Sequence, residues 1–177
     1  MEGEWSIRKL NDWYERYSDE VFRYVLMMTG DPEMAKDLTH DTYIKAYQAM
    51  DRYKGETSER NWLYRIARNA TIDEFRKRKP FRYVADSFAA TAMLSTTEYL
   101  PEQVAQQGEY EAYLYRALQQ LKRSYREVII LRKIKDLTVR ETAEILGWSE
   151  GKVKTTLHRA LDALKKQMLK EGYNHDA

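Results

Sequence analysis

Between residues 62 and 83, Arg65, Arg68, Arg76 and Lys79 recur at helical spacing, interleaved with Trp62, Tyr64, Phe75, Phe81 and Tyr83. Guanidinium and ammonium groups neutralise phosphates, and aromatic faces stack on unpaired bases of any sequence, each stack contributing about 1–3 kcal/mol. The segment therefore suits an unwound nucleic-acid strand. The plainer alternative is a helix whose rings are core and whose RKRK run is a solvated face. Leu63, Ile66, Ala67 and Ala70 make the apolar stripe such a helix needs.

A second pattern, LTVRETAEILGWSEGKVKTTLHRAL, suits duplex instead. Thr138 and Glu141 form a T-x-x-E capping box in which hydroxyl and carboxylate each satisfy an orphan amide and start a helix. Gly147 permits a tight, left-handed turn, Ser149 can cap the next helix, and Glu150 meets the positive end of its dipole. Ala143, Gly147 and Val153 have the spacing of a helix-turn-helix: a small residue where two helices touch, a glycine in the turn, and a β-branched core residue behind the second helix. Lys152, Lys154, Thr155, His158 and Arg159 then fall on the exposed side of that helix, with Ser149 at its start, placed for phosphates and base edges in a major groove. An ordinary helical hairpin with a solvated basic face is the bland counterpart.

Charge blocks explain why a chain of 177 residues with net charge +2 can carry two such surfaces. Residues 1–59 hold 8 basic and 13 acidic side chains, whereas 60–82 hold 8 basic against Asp73 and Glu74. Residues 83–115 have no Lys or Arg and five acids, and 122–170 have 13 basic against 6 acidic. The positive surfaces are separate, with an acidic stretch between them.

The elements that must position them are helices. Apolar residues recur at helical spacing from Trp5 to about Lys79, broken at Gly30-Asp31-Pro32 and near Gly55, and again from Tyr110 to about Leu169, broken near Asp136 and at Gly147. Between them the periodicity lapses into Ser, Thr, Ala and Gln. The expectation is an all-α protein of two small helical domains, residues 1–82 and 110–177, joined by a flexible linker over 83–109.

Other classes are disfavoured. There is no cysteine, hence no disulfide or thiolate chemistry. A Gly-rich phosphate loop is missing, and His40, His158 and His175 are far apart in sequence, so no enzyme is expected. Asp37, His40 and Asp41 share a helical face that imitates half a metal site, but neither metal nor cofactor is expected. No apolar run approaches the roughly 20 residues of a membrane helix, and the N-terminus lacks signal-peptide character, which points to the cytoplasm.

Taken in order, three segments are similar to a known family. DPEMAKDLTHDTYIKAYQAMDRY resembles the polymerase-binding helix of extracytoplasmic-function (ECF) sigma factors of RNA polymerase. NWLYRIARNATIDEFRKRKP resembles their promoter-melting and upstream recognition helix, and LKRSYREVIILRKIKDLTVRETAEILGWSEGKVKTTLHRAL their C-terminal helix-turn-helix.

The resemblance implies a transcription initiation factor that binds the bacterial core RNA polymerase and promoter DNA, under an anti-sigma factor that is often membrane-anchored. It assigns polymerase docking to Asp37, His40 and Asp41, although the family usually has glutamine at position 40 and glutamate at 41. It assigns capture of a flipped minus-ten base to the loop of Tyr53 to Asn61, with Asn61 among the minus-ten contacts, and the neighbouring strand to Arg68, Asn69, Asp73, Arg76 and Lys77. Ser149, Lys152, Lys154, Thr155, His158 and Arg159 would read the minus-thirty-five duplex. Lys122 stands where the family usually has proline, at a helix start. The rival reading is a stand-alone helix-turn-helix regulator acting without polymerase, which leaves residues 31–82 without a role.

Overall fold

The computed structural model describes residues 1–89 and 108–173, with side chains described except over 79–89. Most of the expected linker, residues 90–107, lies outside the described residues. Those described are helical, with no strand among them.

Helix α1 (Glu2–Thr29) carries Glu2 and Glu4 in its first turn, where acidic groups favour the positive end of the helix dipole. It ends where Gly30 turns left-handed at φ 68° and donates its N–H to Leu26 O. A Cβ at Gly30 would sit 2.5 Å from Gln119 Oε1, so a larger residue would both strain this left-handed turn and displace the Gln119 side chain. Asp31 then caps α2 (Pro32–Ala49) by accepting from the Glu33 and Met34 N–H groups, while Pro32 occupies a position that needs no donor.

A 3-10 turn (Met50–Arg52) and a loop with left-handed Gly55 lead to α3 (Glu59–Ala89), where the Ser58 hydroxyl accepts from the Asn61 N–H. This helix outruns the end expected near Lys79: residues 83–89, assigned to the linker on composition, continue it. The stretch holds no glycine and includes Ala85 and Ala89. Its lapse of apolar periodicity therefore does not prevent helix formation.

The C-terminal half contains α4 (Glu109–Gln120), α5 (Arg123–Ile129) running into a π-helical turn (Ile130–Ile134), α6 (Val139–Leu146) and α7 (Glu150–Lys170). Periodicity alone missed the break at Leu121-Lys122, where both residues are extended. Lys122 starts α5 without a side-chain capping bond and lays its ammonium 4.3 Å from the Tyr125 ring centre. Past the π turn, Asp136 adopts a left-handed φ of 56°, and the Arg132 guanidinium closes the loop by donating to Leu137 O.

Burial joins the halves. Trp13, Tyr24, Val25, Met28, Leu63 and Ala67 from the first half and Leu118, Ile129, Leu131, Leu137 and Val153 from the second belong to one continuous core. Helix α3 packs on α6, and α1 on α4 and α5. The Trp13 ring anchors the first half, with centroids 5.9 Å from Tyr53 and 5.4 Å from Trp62.

Candidate nucleic-acid interface

Helix α7 is positioned by the turn the sequence anticipates. Thr138 Oγ1 accepts from the Glu141 N–H at 3.0 Å and donates to the Glu141 carboxylate at 3.1 Å, which starts α6. Gly147 is left-handed at φ 70° and bonds back to Ala143 O, and Ser149 Oγ accepts from the Lys152 N–H at 3.1 Å. Val153 is fully buried behind α7, beside buried Ala143. The opposite side leaves Lys152, Lys154, Thr155, His158 and Arg159 exposed together. Ser149 is also exposed, but its hydroxyl oxygen is already the acceptor of the helix cap. The Lys152 ammonium rests 4.3 Å from the Trp148 ring centre, which holds one cation at the start of this face.

Helix α3 divides its candidates between two sides. Asn69, Asp73, Arg76 and Lys77 are exposed along one face, with Arg76 loosely paired to Asp73 at 4.0 Å. Asn61 and Arg68 turn instead toward the C-terminal half. Asn61 is 8% exposed and its Nδ2 donates to Glu141 Oε2 at 2.7 Å, while its Oδ1 is buried with no partner. Arg68 Nε donates to Glu127 Oε1 at 2.8 Å, and that glutamate is 1% exposed. The Asn61 amide is the main cause holding the Glu141 carboxyl below its ordinary range, against the opposing effect of burial.

The rings of α3 are less available than their interleaving with cations suggests. Tyr64 is 1% exposed, packs on Tyr24 at 5.5 Å, and donates its hydroxyl to Glu20 at 3.1 Å, so it is core and cannot stack on a base. Trp62 is half-buried against Trp13 and Tyr53. Phe81 and Tyr83 lie where side chains are not described.

The loop before α3 forms a cleft of about 140 Å³. Tyr53, Asn61, Trp62 and Arg65 line one side, and Glu144 and Ile145 of α6 line the other. The Tyr53 hydroxyl donates to Thr57 O at 2.7 Å and so folds the loop back on itself.

On α2, Asp37 and His40 are exposed and Asp41 is half-exposed, paired with Lys45 at 3.2 Å. Ile44 and Tyr47 extend this face at helical spacing and are 45% and 43% exposed, two apolar members that sequence reading passed over. The signal was available: both fit the spacing from residues 37, 40 and 41, but apolar residues there read as core.

The comparisons with known proteins agree across both halves. The family described as Sigma-70 region 2 matches residues 13–81, and Sigma-70 region 4 matches residues 111–164. The chain is 38% identical to the RNA polymerase sigma factor YlaC of Bacillus subtilis, over 91% of this chain and 92% of that one. With the ECF sigma factor SigX of the same organism it shares 36% identity over 88% and 81%. Its fold is similar to the sigma factor RpoE of Bartonella quintana, solved in complex with the anti-sigma factor NepR, with TM-score 0.72 and 25% identity over 94% of this chain and 99% of that one. Two matched regions in the right order and relatives above 30% identity along nearly their whole length leave one assignment: this chain belongs to the extracytoplasmic-function sigma factors of RNA polymerase.

Proposed function

We propose that the protein is an alternative sigma factor that brings core RNA polymerase to a promoter by touching DNA at two places. The α7 face, with Lys152, Lys154, Thr155, His158 and Arg159 exposed together, reads the minus-thirty-five element as duplex. The cleft before α3 takes an unstacked minus-ten base. Asn61 lines that cleft, and Arg68, Asn69, Asp73, Arg76 and Lys77 hold the strand beside it. Asp37, His40 and Asp41, flanked by exposed Ile44 and Tyr47, dock on the polymerase. Such a factor acts by binding rather than by catalysis, works in the cytoplasm, and is held in check by an anti-sigma factor, as the Bartonella relative is captured with one.

The observation that carries the reading is that one chain presents both a duplex-suited helix-turn-helix and, before α3, a base-sized cleft beside exposed cations. A stand-alone regulator needs only the first. A gel shift of a promoter fragment with this protein alone, with core polymerase alone and with both tests it. A specific complex forming only with both is expected, and Asp37→Lys should weaken it. Specific binding without polymerase, unchanged by its addition, would overturn the reading in favour of the stand-alone regulator.

A further inference from the structure

We propose that α1 holds the base-capturing loop from outside it: Lys9 and Arg16 grip Glu59 at the loop's second stem, which makes Glu59 a positioning residue for the base the cleft accepts. This rests on the proposed capture of a minus-ten base in the cleft before α3.

The loop is tied at both stems and free at its tip. At the first stem the Tyr53 ring packs between Trp13 of α1 and Trp62 of α3, with centroids 5.9 and 5.1 Å away, and its hydroxyl donates to Thr57 O. At the second stem Glu59 opens α3 with its carboxylate divided between two cations of α1. Lys9 Nζ lies 2.5 Å from Glu59 Oε1, and Arg16 Nη1 lies 3.7 Å from Oε2. Between the stems Lys54, Gly55 and Glu56 are exposed, and left-handed Gly55 has nothing within 4 Å of a Cβ placed there.

The contact to Glu59 differs in kind from other ion pairs on α1. Arg16 with Asp12, and Arg23 with Asp19, join exposed side chains one helical turn apart, where solvent screens most of the attraction. Lys9 and Glu59 instead join two separate elements, with side chains only 30% and 21% exposed. The Lys9 ammonium also lies 5.7 Å from the Trp13 ring centre, so one cation touches the second stem and the ring that supports the first. Its hydrogen bond to Glu59 is the largest cause holding the Lys9 pKa above its ordinary value, against the opposing effect of burial.

A loop ordered before the base arrives loses little freedom on binding and does not re-form around an ill-fitting edge. Released at Glu59, residues 54–58 gain room to adapt to other bases and recover part of the lost fit. Discrimination therefore falls further than affinity. Because Glu59 neutralises them, Lys9 and Arg16 act through the loop rather than on phosphates.

The test is a double-mutant cycle in the full chain with core polymerase. Lys9→Met removes the cation and keeps an unbranched side chain, Glu59→Gln removes the charge and keeps the shape, and the two are combined. Lys9→Arg is the conservative variant. Initiation is measured on templates already unpaired at the minus-ten element and carrying each base at the captured position, with template affinity and melting temperature read in parallel.

Each of Lys9→Met and Glu59→Gln should lower the preference for the best base about threefold to fivefold, the size of a partly exposed ion pair, while affinity for the best template falls by no more than about twofold. The combined variant should lose no more than either alone, since both act through one contact. Lys9→Arg should keep most of the preference, and Arg16→Gln, which removes the more distant cation, should act in the same direction by less. A lower melting temperature with unchanged preference would reduce the pair to a structural tie and overturn the inference. Losses that add in the combined variant, or an equal loss for every base in Lys9→Met, would overturn it as well. A wild-type chain that shows no base preference on these templates would instead sink the proposed base capture.

Discussion

Helices α7 and α3 both carry concentrated positive charge, yet α7 presents its candidates bare whereas α3 surrenders two of its own to acidic partners across the molecule. On α7 the five side chains from Lys152 to Arg159 project from a helix set by its own neighbours in sequence, through Thr138, Gly147 and Ser149. On α3 the outward face of Asn69, Asp73, Arg76 and Lys77 is equally bare, but Asn61 and Arg68 pair with Glu141 and Glu127. Two basic helices of similar composition thus differ in whether their charge is available. The difference is set by tertiary packing and not by the helices themselves.

The largest effect should come from breaking that packing at its most buried pair. Arg68→Ala leaves Glu127, 1% exposed, without its cation, and an uncompensated buried charge costs about 3–5 kcal/mol. Because that pair sits inside the core the two halves share, the loss should appear as a lower melting temperature of the whole molecule. Arg76→Ala on the exposed face, whose partner Asp73 stands 4.0 Å away, should change stability by no more than about 0.5 kcal/mol. Thermal unfolding of the two variants side by side checks this. Equal shifts would mean that the pair to Glu127 contributes no more than a surface contact.

What was legible in the sequence follows the same division. Helix boundaries at Gly30-Asp31-Pro32 and the Thr138, Gly147, Ser149 turn were readable because capping and left-handed glycine act between residues a few positions apart. The pairing of Arg68 with Glu127 and of Asn61 with Glu141 spans 59 and 80 positions and leaves no local trace. Interleaving with cations suggests base stacking for Tyr64, but Leu63 and Ala67 beside it already mark a buried side of the helix. Tyr64 sits on that side, its hydroxyl satisfied by Glu20. Apolar periodicity does not show the break at Leu121-Lys122, because no glycine, proline or side-chain cap announces it; only the resemblance sets a helix start at Lys122.

A smaller effect should sharpen the local side of the comparison. Gly147 is left-handed at φ 70° with nothing within 4 Å of a Cβ placed there, so Gly147→Ala meets no clash and bears only the conformational penalty of about 1–2 kcal/mol. The melting temperature should fall by a few degrees and duplex affinity should drop, while strand binding by α3 holds. A parallel loss of strand binding would show that the turn supports more than the placement of α7.

Next in size, Lys154→Ala and Arg159→Ala should each weaken binding to the upstream duplex and flatten its salt dependence by roughly one unit of slope for each phosphate no longer neutralised. Both side chains are exposed, so stability should not move. Titrations at several salt concentrations read the slope. If both variants keep the wild-type slope, α7 does not lie in the groove on this face.

The smallest effect falls on the exposed face of α3, and it separates electrostatic grip from base capture. Lys77 is exposed on that face, so Lys77→Ala should reduce strand affinity about equally for every sequence, since a phosphate contact carries no base information. Asn61 sits at the cleft with one amide oxygen unsatisfied, so Asn61→Ala should instead alter preference among bases at the captured position. Removing the Asn61 amide also removes a donor from Glu141, so affinity registers the altered packing as well as the lost base contact. Base preference is therefore the cleaner readout than affinity. Measured with core polymerase on templates carrying each base at that position, duplex or already unpaired, the lysine variant should leave the order of preference intact on both. The asparagine variant should flatten it on both and regain opening only where the bases are unpaired beforehand, because pre-melting removes an unstacking cost of a few kcal/mol but restores no contact. Identical preference in the two variants would reduce α3 to a grip on phosphate.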